Sequence, residues 1–502
     1  MSEKNHVSQT SLTRSMGMVE ATTVSIGLVV GVGIFTVGSQ CAGTMPGGAI
    51  IIATTIALIL SIYPCLMYAE MGAALPFAGG TYNFARRAVN KPVASIAAWQ
   101  YLISFVSCAA GESLAFANYF SWIFKALGVN FTVDPRILAF LLMFFFSFIN
   151  YRGIEISSRV QNGFVFFFWG ATLVWMIYMF KNGDAANFIF PNADTIPEVK
   201  TFMTAVILVW WCFSGFETSL GMAGEVKYPK INIPRSMVII PFLLFAINGL
   251  FQWFLTALVP FASQPQLATM DAPFAEGLSV AGYVGFPILL LCIAIAFGGD
   301  MSTMNPCITA PSRYMFAMSC DGVMPKALSK LHPKYNTPYI AVIVTGVLIL
   351  ALILTNSIGL VAIISASSMF WNYCIGYISF WMLRKREPDL ERPFKVKGAT
   401  FGVIFSLITY ITMFCFCGFR EALCSCGVAA VCLLYYFIWG KNHMTSDEET
   451  KAEIDAANAL LEGDVPSAEE KAKMDKTYHA WLGVSIVLDI VVVALFVIYW
   501  AM

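Results

Sequence analysis

The sequence predicts an all-α integral membrane protein whose core is two five-span repeats in inverted orientation, followed by two or three additional spans. Apolar residues make up 58% of the 502 residues and charged residues only 12%, whereas a soluble domain has about 25% charged residues. Apolar runs of roughly 20 residues, long enough to cross a bilayer as a helix, recur along nearly the whole chain. The first and sixth runs are both interrupted by glycine, a pattern typical of transporters built from inverted repeats.

Thirteen spans and one soluble segment are predicted from these runs. An N-terminal tail, 1–18, precedes a core of ten spans, 19–384, and spans eleven and twelve occupy 385–441. An acidic helical segment, 442–478, then leads to a thirteenth span within 479–502. The predicted spans are 20–40, 48–69, 93–121, 134–151, 160–180, 200–223, 236–260, 283–307, 338–356, 359–383, 400–417, 422–440 and 480–500.

The positions of basic residues predict the orientation of these spans. Cytoplasmic loops of membrane proteins carry an excess of lysine and arginine. With the N-terminus in the cytoplasm, nearly all of the 30 basic residues fall on the cytoplasmic side. We therefore expect a multi-pass protein of the cytoplasmic membrane, with no cleaved signal peptide. The exceptions are Lys125, Arg136, Lys181, Lys200 and Arg420.

The first predicted span contains a glycine-rich interruption. Gly27, Gly31 and Gly33 lie close together within 25–36, and each glycine weakens a helix by about 1 kcal/mol relative to alanine. A backbone opened at membrane depth must bond to protein, water or a ligand. This stretch is therefore a candidate binding site made of backbone groups. The alternative is that its small residues only let a neighbouring helix approach closely.

A second interruption lies in the sixth span. Ser214 and Gly215 break its middle, and Glu217 places a carboxylate directly after them. Because the two interrupted spans are five spans apart, they predict inverted repeats with a binding site where the broken helices meet.

Four motifs in sequence order resemble those of the amino acid–polyamine–organocation transporters, over about residues 18 to 400. The stretch 31–35, Gly-Val-Gly-Ile-Phe, is similar to the family's G-S-G-I-F, with Val32 in place of serine. The sixth-span break continues into 224–235, which resembles E-V-K-N-P-x-R-N-I-P-R. Segments 68–82 and 312–338 resemble the exits of the family's second and eighth spans.

This resemblance implies a LeuT-like fold that works by alternating access on an amino acid or a related amine. In such proteins backbone N–H groups at the first break hold the substrate carboxylate, because a helix N-terminus attracts anions. Backbone carbonyls at both breaks face the substrate ammonium. The matching residues are Val32, Gly33 and Ile34 for the carboxylate, and Ile26, Phe213, Ser214 and Gly215 around the ammonium.

One position departs from the pattern of many proton-coupled relatives. They carry a lysine in the fifth span, and the matching position in this chain is Phe168, downstream of the segment 153–162. The departure argues against a lysine-based proton mechanism and favours substrate exchange.

Three carboxylates lie within predicted spans, where a charge costs several kcal/mol unless it is paired or hydrated. Glu217 follows the sixth-span break, Glu112 lies midway along the third span, and Asp300 lies midway along the eighth. They predict a cationic substrate and are candidates for proton coupling, and Trp211 offers an indole face for such a substrate. The alternatives are a neutral amino acid bound beside a protonated Glu112, or carboxyl groups satisfied by neighbouring polar groups.

Nothing in the sequence indicates an enzyme. We find no nucleophile with a paired base, no phosphate-binding loop and no metal-ligand cluster, so we expect no cofactor, no metal and no nucleic-acid partner. The 13 cysteines contain no Cys-x-x-Cys pair. The expected partners are a small amine or amino acid substrate and the lipid bilayer, and the oligomeric state stays open.

The sequence leaves three other functions open. One is a symporter of a neutral amino acid with a proton, and another is an uncoupled channel. The third is a transporter-like sensor that signals through 442–478, where capping boxes at Ser446 and Ser467 predict two helices.

Overall fold

The structure, a computed structural model, is helical throughout its regular elements. It describes residues 16–31, 33–76, 79–129, 133–152, 167–168, 170–172, 174–175, 177, 182–221, 223, 226–335, 337–445, 452 and 465–502. The side chains of Pro287, Asp300 and Met301 fall outside this description. Within these residues, one isolated backbone bridge joins Met16 to Val226.

The α-helices are numbered here in chain order, and short π and 3-10 segments lie between some of them. They are α1 Met18–Val29, α2 Ser39–Thr44, α3 Ile50–Ala74, α4 Gly80–Ala88, α5 Lys91–Ala126, α6 Pro135–Arg152, α7 Val199–Trp211, α8 Thr218–Gly221, α9 Pro229–Leu258, α10 Pro273–Val280, α11 Phe286–Ile293, α12 Asp300–Cys320, α13 Tyr339–Ile353, α14 Ile358–Arg386, α15 Ala399–Phe416, α16 Phe419–Tyr435, α17 Lys441–His443 and α18 Ala468–Ala501.

The prediction of an all-α membrane protein is confirmed. Within the described ranges, nine helices are long and apolar enough to cross a membrane. Met18–Val29 and Ile34–Thr44 form a further span that is bent by 55° at its break. The break lies in the glycine-rich stretch that the sequence singles out.

The sixth span is also interrupted where the sequence predicts it. Helix α7 ends at Trp211, residues 212–217 form turns, and α8 begins at Thr218. Gly215 has a φ of 99°, a conformation that glycine adopts readily and that other residues resist. The predicted fifth span lies largely outside the described residues, as does the motif at 153–162.

Helix α5 lies at the centre of the bundle and α15, α16 and α18 lie at its edge. In the most apolar window of α5, 72% of residues are buried, against 33%, 22% and 17% in the three outer helices. Helix α5 contacts α14, α12 and α6, while α9 packs on α3. The core around the breaks is therefore shielded by protein, and the C-terminal spans face outward.

The C-terminal helix differs from its prediction. The sequence predicts a short helix opening at Ser467 and a separate span from 479, whereas α18 runs without interruption from Ala468 to Ala501. Ser467 caps it by accepting from Glu470 N at 3.2 Å, and no glycine or proline follows until Gly483. The helix predicted after Ser446 lies outside the described residues, apart from residue 452.

Ion pairs join the helix ends at one end of the bundle, which we call the basic end. Arg384 pairs with Glu70, whose side chain is 2% exposed. Arg87 pairs with Glu387 at 2.7 Å, and Arg86 pairs with Asp321. Buried charges at helix ends are stable only when paired in this way.

Candidate functional site

The two broken spans touch at their breaks. A Cβ atom on Gly215 would lie 2.9 Å from Leu28 Cδ2 and 3.4 Å from Val29 Cγ2. Residue 215 therefore approaches the end of α1 more closely than a side chain allows. This contact puts the polar backbone of both interruptions at one place in the bundle.

A small cavity lies beside this contact. It leaves about 20 Å³ for the centres of water molecules, enough for about one water. Its walls come from α1, α5, the sixth-span break and α14. The lining residues include Leu28, Val29, Phe105, Cys108, Glu112, Trp211, Ser214, Gly215, Ser365 and Met369.

Glu112 reaches from α5 to the first-span break. Gly33 N–H donates to both carboxyl oxygens of Glu112, at 3.1 and 3.0 Å, and Glu112 is only 3% exposed. The acceptor lies at the N-terminal end of the helical segment 33–44, where the helix dipole favours negative charge. Two residues predicted for the site, Glu112 and Gly33, are therefore bonded to each other.

The glycines of the first break make room for this carboxyl group. A Cβ on Gly31 would lie 2.6 Å from Glu112 Oε2 and would also collide with Thr303 Oγ1. A Cβ on Gly33 would lie 2.8 Å from Trp211 Cζ3 and would also collide with Glu112 Oε1. Both glycines are thus required by close side-chain approach rather than by helix packing alone.

A hydroxyl pair on α12 faces the carbonyl end of α1. Ser302 Oγ lies 3.3 Å from Gly27 O and 2.6 Å from Gly299 O. Thr303 Oγ1 lies 3.2 Å from Gly27 O and 3.3 Å from Gly299 O. Four oxygen atoms from two helices therefore converge next to the first break. This hydroxyl pair was not predicted from the sequence, although the glycines at 298–299 mark the same turn of the helix.

Trp211 lines the cavity and Trp210 does not. Trp211 Nε1 donates to Ser365 Oγ at 3.1 Å, and Ser365 Oγ in turn lies 3.0 Å from Ser104 Oγ. Trp210 Nε1 donates to Tyr410 OH at 3.0 Å in an aromatic cluster behind the break. Ser104 and Ser365, which were not predicted as site residues, thus orient the indole beside the cavity.

Glu217 lies behind the sixth-span break rather than on the cavity wall. Gly215 N–H donates to Tyr373 OH at 3.2 Å, and that hydroxyl donates to Glu217 Oε2. Glu217 Oε1 is buried without a partner among the described residues. The carboxyl group is thus linked to the break through Tyr373 on α14.

Phe168 lies where the resemblance places a lysine in other transporters. Its ring is 1% exposed and packs edge-to-face on Phe35 at 5.7 Å. A Cβ on Gly299 would lie 3.6 Å from Phe168 Cε2. An apolar ring therefore lies beside Gly299 at this position.

The remaining predicted residues are placed as follows. Ile34 and Phe213 are buried at the two breaks, and Ile26 O accepts from Val30 N at 2.7 Å. Val32 lies outside the described residues. Asp300 begins α12, and its side chain lies outside the description.

Comparisons with known proteins agree with this architecture. The model of a family described as amino acid permease matches residues 16–422. The chain is 26% identical to the branched-chain amino acid permease BcaP of Bacillus subtilis (strain 168), over 86% of this chain and 94% of that protein. It is 28% identical to the glutamate/serine transporter AimA of the same strain, over 80% and 77% of the two chains.

A mammalian relative carries a further class of amino acid in its name. The chain is 25% identical to cationic amino acid transporter 4 of Mus musculus, over 69% of this chain and 56% of that protein. The family match covers most of the chain and both interrupted spans. The protein is therefore a member of the amino acid permease family.

Proposed function

We propose that the protein is a secondary transporter that exchanges an amino acid, or an amine derived from one, across the cytoplasmic membrane by alternating access. The observation that carries the proposal is the contact between the two broken spans beside a small cavity. Backbone groups freed at such breaks bind the charged ends of a substrate. The basic end of the bundle faces the cytoplasm, as the distribution of lysine and arginine requires.

The charge of the site favours a cationic substrate. Glu112, which is 3% exposed, lines the cavity, and Glu217, which is 2% exposed, lies behind the adjoining break. A nearby positive charge stabilises a buried carboxylate, and a substrate with an amino group supplies one. The relatives differ in their named substrates, from branched-chain amino acids to glutamate and serine, so family membership alone leaves the choice open.

Coupling to sodium is a second candidate for the driving force. The oxygen atoms of Gly27, Gly299, Ser302 and Thr303 converge between α1 and α12. Opened backbone carbonyls in transporters of this kind coordinate small cations. Phe168 brings no lysine ammonium beside Gly299, which favours exchange or a sodium ion over a lysine-based proton mechanism.

Counterflow in proteoliposomes tests the proposal. Vesicles loaded with unlabelled L-arginine, L-leucine or agmatine should accumulate the labelled compound transiently, with saturation and with strongest uptake of a cationic compound. A sodium gradient should add to uptake only if sodium is coupled. A sensor would bind these compounds without any counterflow, and preference for neutral amino acids alone would contradict the cationic substrate.

Two glycine variants, one at the site and one away from it as a control, accompany this experiment. Gly215→Val would drive a side chain into Leu28 at the contact between the breaks and should abolish counterflow. Gly427→Ala adds a methyl group where no heavy atom lies within 4 Å, so its counterflow should equal that of the unmodified protein.

A further inference from the structure

We propose that Glu112 is a built-in occupant of the position that receives a substrate carboxylate, so that the site selects amines without a carboxylate over α-amino acids. This inference rests on the transport site proposed above and adds to it a substrate class. It starts from the bifurcated hydrogen bond between Gly33 N–H and the two Glu112 oxygens.

The space beside Gly33 N–H fits a carboxyl group of the protein itself. Glu112 comes from the middle of α5, a 36-residue helix, so its backbone is fixed by packing on both sides. The two glycines of the break leave room for each of its oxygens. A side chain held by packing competes at very high effective concentration with any free ligand for the same N–H group.

An α-amino acid and an amine should therefore differ in their free energy of binding to this site. The carboxylate of an amino acid must displace Glu112 from Gly33, and the two like charges then repel each other in a medium of low dielectric constant. An amine leaves Glu112 in place, and its ammonium gains a buried carboxylate as partner. The occupied break thus penalises the first class of ligand and favours the second.

Paired ligands measure this preference on one protein sample. L-leucine and 3-methylbutylamine share a side chain and an ammonium and differ by the carboxylate. Binding of both, measured by thermal stabilisation in detergent, should favour the amine in the unmodified protein. Glu112→Ala should strengthen binding of leucine at least tenfold, weaken binding of the amine at least tenfold, and so reverse their order.

Two further variants separate position from charge and from folding. Glu112→Asp keeps the charge but shortens the reach by one methylene, so leucine binding should improve while amine binding is retained. Glu276→Ala removes another carboxyl that accepts from a backbone N–H, that of Ala272 at 3.1 Å, away from the cavity. It should change neither affinity.

The outcomes distinguish this inference from the proposed function. If leucine and the amine both weaken in Glu112→Ala, Glu112 binds the substrate directly or supports the fold, and the built-in occupant is refuted while the transport site stands. If leucine binds the unmodified protein as tightly as the amine does, the preference is refuted in the same way. If neither the paired ligands nor L-arginine binds any variant, and counterflow is absent, the proposed function fails together with the inference.

Discussion

Individual glycines decide how close the functional groups of this protein approach one another. Gly33 is the clearest case, because its backbone is right-handed helical, with φ −53° and ψ −38°. Its role therefore does not depend on an unusual backbone conformation. Because Gly33 has no Cβ, Glu112 and Trp211 can approach its backbone closely.

Gly33→Ala should disrupt the site without straining the local backbone. The added methyl group would displace Glu112 and Trp211, whose Cζ3 lies 2.8 Å from the Cβ position, and overpacking of this kind costs about 1–3 kcal/mol. We expect a lower melting temperature in detergent and at least a tenfold loss of affinity for 3-methylbutylamine. Gly483→Ala, in a helix with nothing within 4 Å, should leave both unchanged or raise stability slightly. Equal melting temperatures for the two variants would contradict the close approach.

Tyr373 joins the sixth-span break to Glu217, and Tyr373→Phe should break this link. The change leaves the Gly215 N–H without its acceptor and removes the donor to Glu217. An unsatisfied buried group costs about 1–3 kcal/mol, so unfolding in detergent should occur at a lower temperature. Tyr435→Phe removes a hydroxyl that has no partner among the described residues and should have almost no effect. An unchanged melting temperature in Tyr373→Phe would show that Tyr373 acts through its ring alone.

At the residue scale, the sequence predicts which side chains lie near the breaks better than it predicts their partners. Glu112 and Trp211 follow from helix position and family pattern. The bond from Gly33 to Glu112 and the orientation of Trp211 by Ser365 depend on how helices far apart in sequence are rotated against each other. That rotation is set by packing throughout the bundle, which local periodicity does not encode.

At the scale of the helix, α18 is attached to the bundle at both of its ends. Arg235 pairs with Asp475 and lies 5.3 Å above the ring of Tyr478. At the far end, Trp500 Nε1 donates to Gly47 O at 2.9 Å. The sequence predicts that this segment spans the membrane, but hydrophobicity does not distinguish its lipid-facing side from its packed side, because lipid and protein interior are similarly apolar.

Adjacent valines on α18 test this attachment. Val492 is fully buried, and a Cβ on Gly249 would lie 2.5 Å from its Cγ1, whereas Val493 is 45% exposed. Val492→Ala should lower the free energy of unfolding by about 1–3 kcal/mol because it opens a gap against α9. Val493→Ala should have little effect, since its methyl groups face outward. Unfolding in a denaturing detergent would compare them, and equal effects would argue against packing of α18 on α9.

For the whole molecule, the sequence predicts architecture well because composition, breaks and charge distribution all act over many residues. The predicted spans that begin at 48, 359 and 400 start within a few residues of the helices that begin at Ile50, Ile358 and Ala399. The continuity of α18 was not predicted, because the change from polar to apolar residues near 479 resembles the boundary between a soluble helix and a span. The composition changes near 479, while the helical backbone continues without interruption.

The number of membrane crossings provides the final test. Helix α18 has 34 residues, so at 1.5 Å per residue it is about 51 Å long, more than the roughly 30 Å of a bilayer core. If it crosses once, the chain ends on the opposite side from its beginning. A fluorescent protein fused after Val465, with α18 removed, should then fluoresce in the cytoplasm. The same reporter fused after Met502 should be exported and dark, and alkaline phosphatase should show the reverse. Fluorescence from both fusions would mean that α18 lies along the bundle without crossing, and that the last of the thirteen predicted spans is wrong.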